Sequence, residues 1–410
     1  MTASTMNAHA LFVGANTSES YHQAILLPDR TRRVLLQADR KLRTAIRSAA
    51  QDAVRYGKQM GLATNAYRAA KQSPPSLEVR FLLQGGLAYD TAVEPALMPP
   101  QQSDRDTGVY VKTSFLSRQE PGLAAKTFFK LVEDAIRPLC NAEGWTIKEK
   151  NTCVRVELNQ HMHIDFPLYA IPDDAFEALE NSLQDIAGET LVTASSRMMT
   201  LMDRHRTLRI PSDRIMLAIR ENGDEGSWIQ SDPRSLHDWF EEQFRRYGPQ
   251  LRRQSRYFKG WRDFEFEKGG PSSVALMVCI ANCYREGFVT ADEGRDDLAF
   301  LQVAGALPRL LDKPILNPVL DVPSALNDWD DLERSRYQNA ANALRGSVSE
   351  ALSGHYLQEL TVKRLQGALG ARVPNRPDLV KAHTKVPEIS APAAIVSTAP
   401  LRTTARTTSG

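Results

Sequence analysis

The sequence is short of several things, and each shortage narrows what the chain can be. Only four cysteines stand in 410 residues, Cys140, Cys153, Cys279 and Cys283, and no two have C-x-x-C spacing. That excludes a disulfide scaffold or a thiolate metal knuckle, and Cys279 and Cys283, four apart on an expected helix, read as core thiols. A reducing cytoplasm is the compartment that fits. No apolar run approaches the roughly 20 residues a spanning helix needs, and the polar start has no signal-peptide core, so no membrane partner is expected. Charge of one sign is also missing: 51 Lys and Arg against 49 Asp and Glu leave +2. Near-neutrality offers no basic track, so nucleic-acid binding is not indicated. There are no internal repeats.

What is present is an ordinary globular composition, 42% hydrophobic and 24% charged, long enough for one large or two medium domains. Residues 1 to about 20 are expected to be mobile. From Thr31 a helix is predicted, with Leu35, Leu42, Ile46, Ala49 and Ala53 in one stripe, Asp29 or Thr31 as cap, and an arginine-rich outer flank. A second helix is predicted over Leu123 to Arg137, ending near Pro138 and Gly144. Helix–strand alternation here gives a mixed sheet covered by helices. From Arg214 the pattern turns helical.

The most informative stretch is Leu82 to Tyr110. An apolar run of Val79, Phe81, Leu82 and Leu83 leads into Gln84-Gly85-Gly86. Glycines after a strand let backbone N–H groups approach an anion with no Cβ in the way. The stretch is neither G-x-G-x-x-G nor G-x-x-x-x-G-K-[ST], so those two nucleotide folds are not indicated. Beyond a proline-containing spacer stand Asp104 and Asp106, followed by Gly108 and Val109-Tyr110-Val111, which favour a strand. An extended Ser103 to Val111 turns both carboxylates to one side. Two unshielded carboxylates repel, so the pair costs stability unless cations sit between them.

A third acid follows. Val154, Val156 and Leu158 alternate against Arg155 and Glu157, and the next apolar run, His163 to Tyr169, carries Asp165 in its middle. Taken alone, Asp165 reads as an edge-strand acid bonded to Arg155. Taken with Asp104 and Asp106, it completes a metal-binding triad. Further on, Ser231-Asp232-Pro233 is a helix start, with a capping side chain and then proline at the first helical position. Lys259 lies on a basic helix, and Gly269-Gly270-Pro271-Ser272-Ser273 before the apolar helix from Val274 makes an anion site or a plain cap.

A glycine pair, Asp-x-Asp and a later strand Asp resemble the polymerase-β-type nucleotidyltransferases. The stretches QGGLAYDT, DRDTGVY, HIDFPLYAIP, LAIREN, WIQSDP, DWF and FKGWRDFEFEKGGPSSVALM resemble more closely the cGAS/DncV-like nucleotidyltransferases of anti-phage signalling, the bacterial cyclic GMP–AMP synthases among them. They run in the family's order from about residue 80 to 285. The resemblance implies an α+β fold. A polymerase-β-like lobe with a mixed sheet (residues 21–207, braced by a long N-terminal helix) is followed by a helical nucleotide-binding lobe (208–373). After Val373 the Pro-, Ala-, Ser- and Thr-rich composition, which cannot bury a core, predicts a disordered tail (374–410).

The resemblance also implies chemistry. ATP and GTP would be joined by two-metal nucleotidyl transfer into a cyclic dinucleotide, with 3′,3′-cyclic GMP–AMP the first choice. Another cyclic di- or trinucleotide is the alternative, as is a template-independent enzyme acting on RNA. Asp104, Asp106 and Asp165 would be catalytic and hold two Mg²⁺ ions, with Mn²⁺ as a substitute. Gln84, Gly85 and Gly86 would cradle phosphate by their amides, Ser231 and Asp232 would stand at the nucleobase, and Lys259 and Ser273 would hold the triphosphate. Relatives often carry Ser where this chain has Gly86, which removes a hydroxyl but keeps the amide. Some of the family work beside a ubiquitin-transferase-like conjugating partner, and the resemblance extends that expectation to Gly410.

Overall fold

A computed structural model describes residues 6–14, 19–51, 78–113, 121–176, 215–220, 226–320, 323–353 and 357–382. Among these, alternating apolar residues build one eight-stranded mixed sheet. Its centre is β3, Ser103–Lys112. On one edge β3 pairs antiparallel with β2, Arg80–Gln84; on the other it pairs parallel with β6, Met162–Phe166, and then with β7, Leu168–Ile171. Pro167, which has no N–H to give, separates those two strands, and its carbonyl still accepts from Val109 N. Antiparallel β4 (Thr146–Glu149) and β5 (Val154–Asn159) extend one side, and β8 (Met216–Arg220) and β9 (Gly226–Gln230) the other.

These last two strands change the expected picture after Arg214, where a turn to helices was predicted. The sheet continues to Gln230, across the expected 207/208 boundary, because Leu217 and Ala218 are buried against the strands before them. Helices α1, His9–Val13, and α2, Tyr21–Ile25, precede α3, Asp29–Gln51. Leu35, Ala38, Leu42, Ile46 and Ala50 of α3 share a core with Val109, Val111 and Ile164 of the sheet. Ala50 rather than Ala49 completes that stripe, and Ala53 lies outside the described residues. A short α4, Gly85–Ala88, follows β2, and α5, Pro121–Glu143, also covers the sheet. The second helix therefore runs through Pro138 and ends at Glu143, beside Gly144, the later of the two stops expected. Burial of Cys140 and packing of Leu139 beyond it offset the one missing backbone bond.

The second lobe consists of α6 (Pro233–Tyr247), α7 (Pro249–Glu265), α8 (Ser273–Arg285), α9 (Asp296–Leu311), α10 (Asp331–Ser353) and α11 (Gln358–Leu369). Tyr257, Phe258, Trp261 and Phe300 form its aromatic centre. Two expectations are corrected here. Residues 6–14 and 19–20, expected to be mobile, belong to this core: Leu11 and Phe12 are fully buried, and Ala8 N donates to buried Asp297 at 2.8 Å. Residues 374–382, expected to belong to a disordered tail, are also part of the fold. Leu379 and Val380 are buried, and β10, Lys381–Ala382, pairs with β1, Met6–Asn7. The remainder of that tail, Gly410 included, lies outside the described residues, as do residues 52–77 and 177–214. No described helix is long and apolar enough to cross a membrane.

Candidate active site

Strand β3 brings the acids forward. Its period-two pleat puts Asp104 and Asp106 on one face, and its register sets Asp106 beside Gln84 on β2 and beside Asp165 on β6. Asp104 is exposed, whereas Asp106 is half-buried. Burial, with Asp104 and Asp165 close by, pushes the Asp106 carboxyl well above the usual carboxylate range, against the opposing pull of Arg155 and Lys259. The turn out of β2 is shaped around this carboxylate. Gly85 adopts φ 65°, and a Cβ there would lie 1.9 Å from Asp106 Oδ2. Only glycine fits both the backbone and the contact.

Gly85, Gly86, Asp104 and Asp106 line a cleft of about 340 Å³, whose other wall comes from the helical lobe: Lys259, Arg262, Asp263 and Ser273. The expected phosphate-binding pair thus faces the expected catalytic pair. Lys259 is buried and donates to Thr91 through Nζ, at 2.7 Å to the hydroxyl and 3.2 Å to the carbonyl. Burial, and then the neighbouring Arg262, bring its ammonium down to about 7. Ser273 Oγ accepts from Arg262 Nη1 at 2.7 Å, and Arg262 is held by Asp263 Oδ1. Arg262 and Asp263 were not singled out from the sequence. Lying three and four positions after Lys259, they share its helical face, and that spacing was the available signal.

Asp165 behaves differently. Its two oxygens accept from Arg155 Nε and Nη2 at 2.8 and 2.7 Å, the pairing expected for the isolated residue. Among the described residues no three His, Cys, Asp or Glu side chains are grouped as a metal site. The donor chemistry still fits a divalent cation. Asp104 and Asp106 offer hard carboxylate oxygens in an open cleft, crowded by one another and by Asp165.

The side chain of Gln84 is engaged away from the cleft, donating to Tyr110 at 2.7 Å and accepting from Tyr169 at 3.2 Å. Ser231 lies close enough to the Tyr169 hydroxyl to influence its ionisation, beside the same network. Asp232 caps α6: Oδ1 accepts from Ser235 N and Oδ2 from Ser235 Oγ. Neither Ser231 nor Asp232 lines the cleft. The capping function foreseen for one of them falls to Asp232.

Comparison with known proteins agrees with this arrangement. Residues 79–169 match the family model for the nucleotidyltransferase domain of DncV-like cyclic GMP–AMP synthases, and residues 248–382 match the model for the cyclic GMP–AMP synthase C-terminal domain. A cyclic GMP–AMP synthase of Escherichia coli is 30% identical over 314 residues, covering 72% of this chain and 68% of the relative. One from Vibrio cholerae serotype O1 is 35% identical over 212 residues, covering 50% of this chain and 47% of the relative. Among solved structures, the Vibrio cholerae DncV cyclic AMP–GMP synthase with a linear intermediate superposes with a TM-score of 0.72 at 23% identity, covering 93% of this chain and 100% of that one. The same enzyme with nonhydrolyzable GTP also gives 0.72, at the same identity and coverage. With both regions matched and Asp104, Asp106, the glycine turn and the buried lysine gathered at one cleft, the chain belongs to the DncV-like cyclic GMP–AMP synthase family of nucleotidyltransferases.

Proposed function

We propose that this protein joins ATP and GTP into a cyclic dinucleotide, 3′,3′-cyclic GMP–AMP being the favoured product, for use as a second messenger in anti-phage signalling. The observation that carries the reading is the cleft itself. Asp104 and Asp106 stand on one wall, with a lysine and a helix N-terminus on the other. Polyphosphate is the ligand that such opposed anionic and cationic walls accommodate, provided that cations bridge it to the acids. Family membership, through relatives that are cyclic GMP–AMP synthases, supplies the reaction class.

In this reading Asp104, Asp106 and Asp165 would hold two Mg²⁺ ions, or Mn²⁺ in their place. When bound, such ions make an attacking hydroxyl more acidic and stabilise the charge on departing pyrophosphate. The residues do the rest. Lys259 pairs with the triphosphate once protonated, and the Ser273 hydroxyl, oriented by Arg262, donates to a phosphate oxygen. Amides at Gly85 and Gly86 approach the same phosphates with no Cβ in the way. Tyr89, Val93, Phe266 and Met277 give the cleft an apolar side suited to a purine face. Gln84, Ser231 and Asp232 support the turn and the α6 start from behind.

Incubation with radiolabelled nucleoside triphosphates and Mg²⁺, followed by phosphatase, tests the reading. A phosphatase-resistant dinucleotide containing both G and A is the expected product. Labelled RNA would make the protein a template-independent polymerase, and no product at all would overturn the enzyme assignment.

A further inference from the structure

Strand β3 is polar on both faces. Asp104 and Asp106 alternate with Arg105 and Thr107, and the pleat sends that second pair away from the cleft, toward α3. There they meet Asp39, which is fully buried. Its Oδ1 accepts from Thr107 Oγ1 at 2.8 Å, and its Oδ2 lies 3.3 Å from Arg105 Nη2 and 3.0 Å from Arg43 Nε. A buried carboxylate persists only where such partners surround it.

The apolar contacts that attach α3 to the sheet come from Leu35, Leu42 and Ile46, which meet Val109 and Val111 further along the strand. The polar tie falls at a different point, on the residues directly before and after Asp106. Fixing Arg105 and Thr107 fixes the peptide planes between them, and hence the direction in which the acids leave the strand. We propose that Asp39 is a positioning residue for nucleotidyl transfer, holding β3 from behind so that Asp104 and Asp106 present their carboxylates as a pair. This rests on the reading of Asp104 and Asp106 as the acids of the reaction.

Thr107 makes the clean test, because Val keeps its shape without the donor and Ser keeps the donor. In the full-length chain, Thr107→Val and Asp39→Asn are expected to lower kcat by about tenfold or more while KM for ATP and GTP changes by less than about twofold, since misplacement of order 1 Å costs reaction rate rather than ground-state binding. Thr107→Ser is expected to retain wild-type kcat to within about twofold. The inference is overturned if Thr107→Val, folded by its melting curve, turns over normally. It is also overturned if Val and Ser lose kcat equally in step with melting temperature, the pattern of a purely structural tie. Should Asp39→Asn fail to fold, the Thr107 pair decides alone. Asp106→Ala separates the premise from the inference. If that variant is active, the reading of the acids fails and takes the inference with it; if it is inactive while Thr107→Val is normal, only Asp39 is misassigned.

Discussion

At the scale of single residues the site is defined by two groups held away from their ordinary ionisation. Asp106 is raised by burial and by its acidic neighbours. The folded state therefore holds its proton more tightly than the unfolded chain does. The stability it contributes is complete below the unfolded carboxylate range and is lost as pH rises through the folded value. In metal-free protein at pH 8, Asp106→Asn should raise the melting temperature by about 2–4 °C, with little gain at pH 4. The same change should reduce turnover by about 10³-fold or more; equal melting curves at both pH values would remove the repulsion argument. Lys259 is shifted the other way, to about 7. A lysine so lowered is mostly neutral at pH 8, and in the proposed function a triphosphate draws in a proton as it binds. Calorimetry in buffers of different ionisation enthalpy should show proton uptake on nucleotide binding at pH 8 that vanishes at pH 6 and in Lys259→Met. These shifts were not legible in the sequence, which names the residue but not its burial.

At the scale of elements the β2–α4 turn is the sensitive one. Gly85 and Gly86 look equivalent in the sequence, yet only Gly85 has a left-handed φ and a carboxylate where its Cβ would be. Gly85→Ala should abolish turnover and lower the melting temperature by several degrees, since strain and overpacking together cost about 2–4 kcal/mol. A Cβ added at Gly86 would come no nearer than 3.4 Å to any neighbour, Ala92 Cα, an ordinary contact. Gly86→Ser should therefore fold normally and lower KM for the nucleotide, because it restores the hydroxyl that relatives often carry; an unchanged or raised KM would show that the hydroxyl has no phosphate to meet. Strand β3 was legible from its pattern, and the α6 cap from Ser-Asp-Pro. The α5 stop at Gly144 was legible too; that Pro138 would not interrupt the helix first was not, because tertiary burial of Cys140 overrode the local penalty of proline.

At the scale of the whole molecule the two ends of the described chain close on each other. Strand β1 pairs with β10, Phe12 packs on Tyr257 and Phe300, and Arg376 reaches Glu19. Phe12→Ala should destabilise the fold by about 3–5 kcal/mol, read as an earlier denaturation midpoint. Truncation after Val373 should be similarly costly, because it removes buried Leu379 and Val380 together with β10. Truncation after Ala382 should leave both melting temperature and nucleotide turnover unchanged. Equal behaviour of the two truncations would show that residues 374–382 add nothing to the core.

The sequence alone determined the strand that carries Asp104 and Asp106, because its local geometry follows from its residue types, and it pointed to the family, and through that resemblance to Lys259 and Ser273, by contiguous motifs. It also determined the α3 stripe, because 3.6-residue periodicity is local. Tertiary structure decided the rest. Asp165 bonds Arg155, Arg262 and Asp263 enter the cleft, Asp39 backs β3 from 68 residues away, and the N-terminal segment joins a core built mainly from residues beyond 230. Each of these depends on a partner brought in by the fold, and burial and pairing between separate segments exist only once the chain has folded.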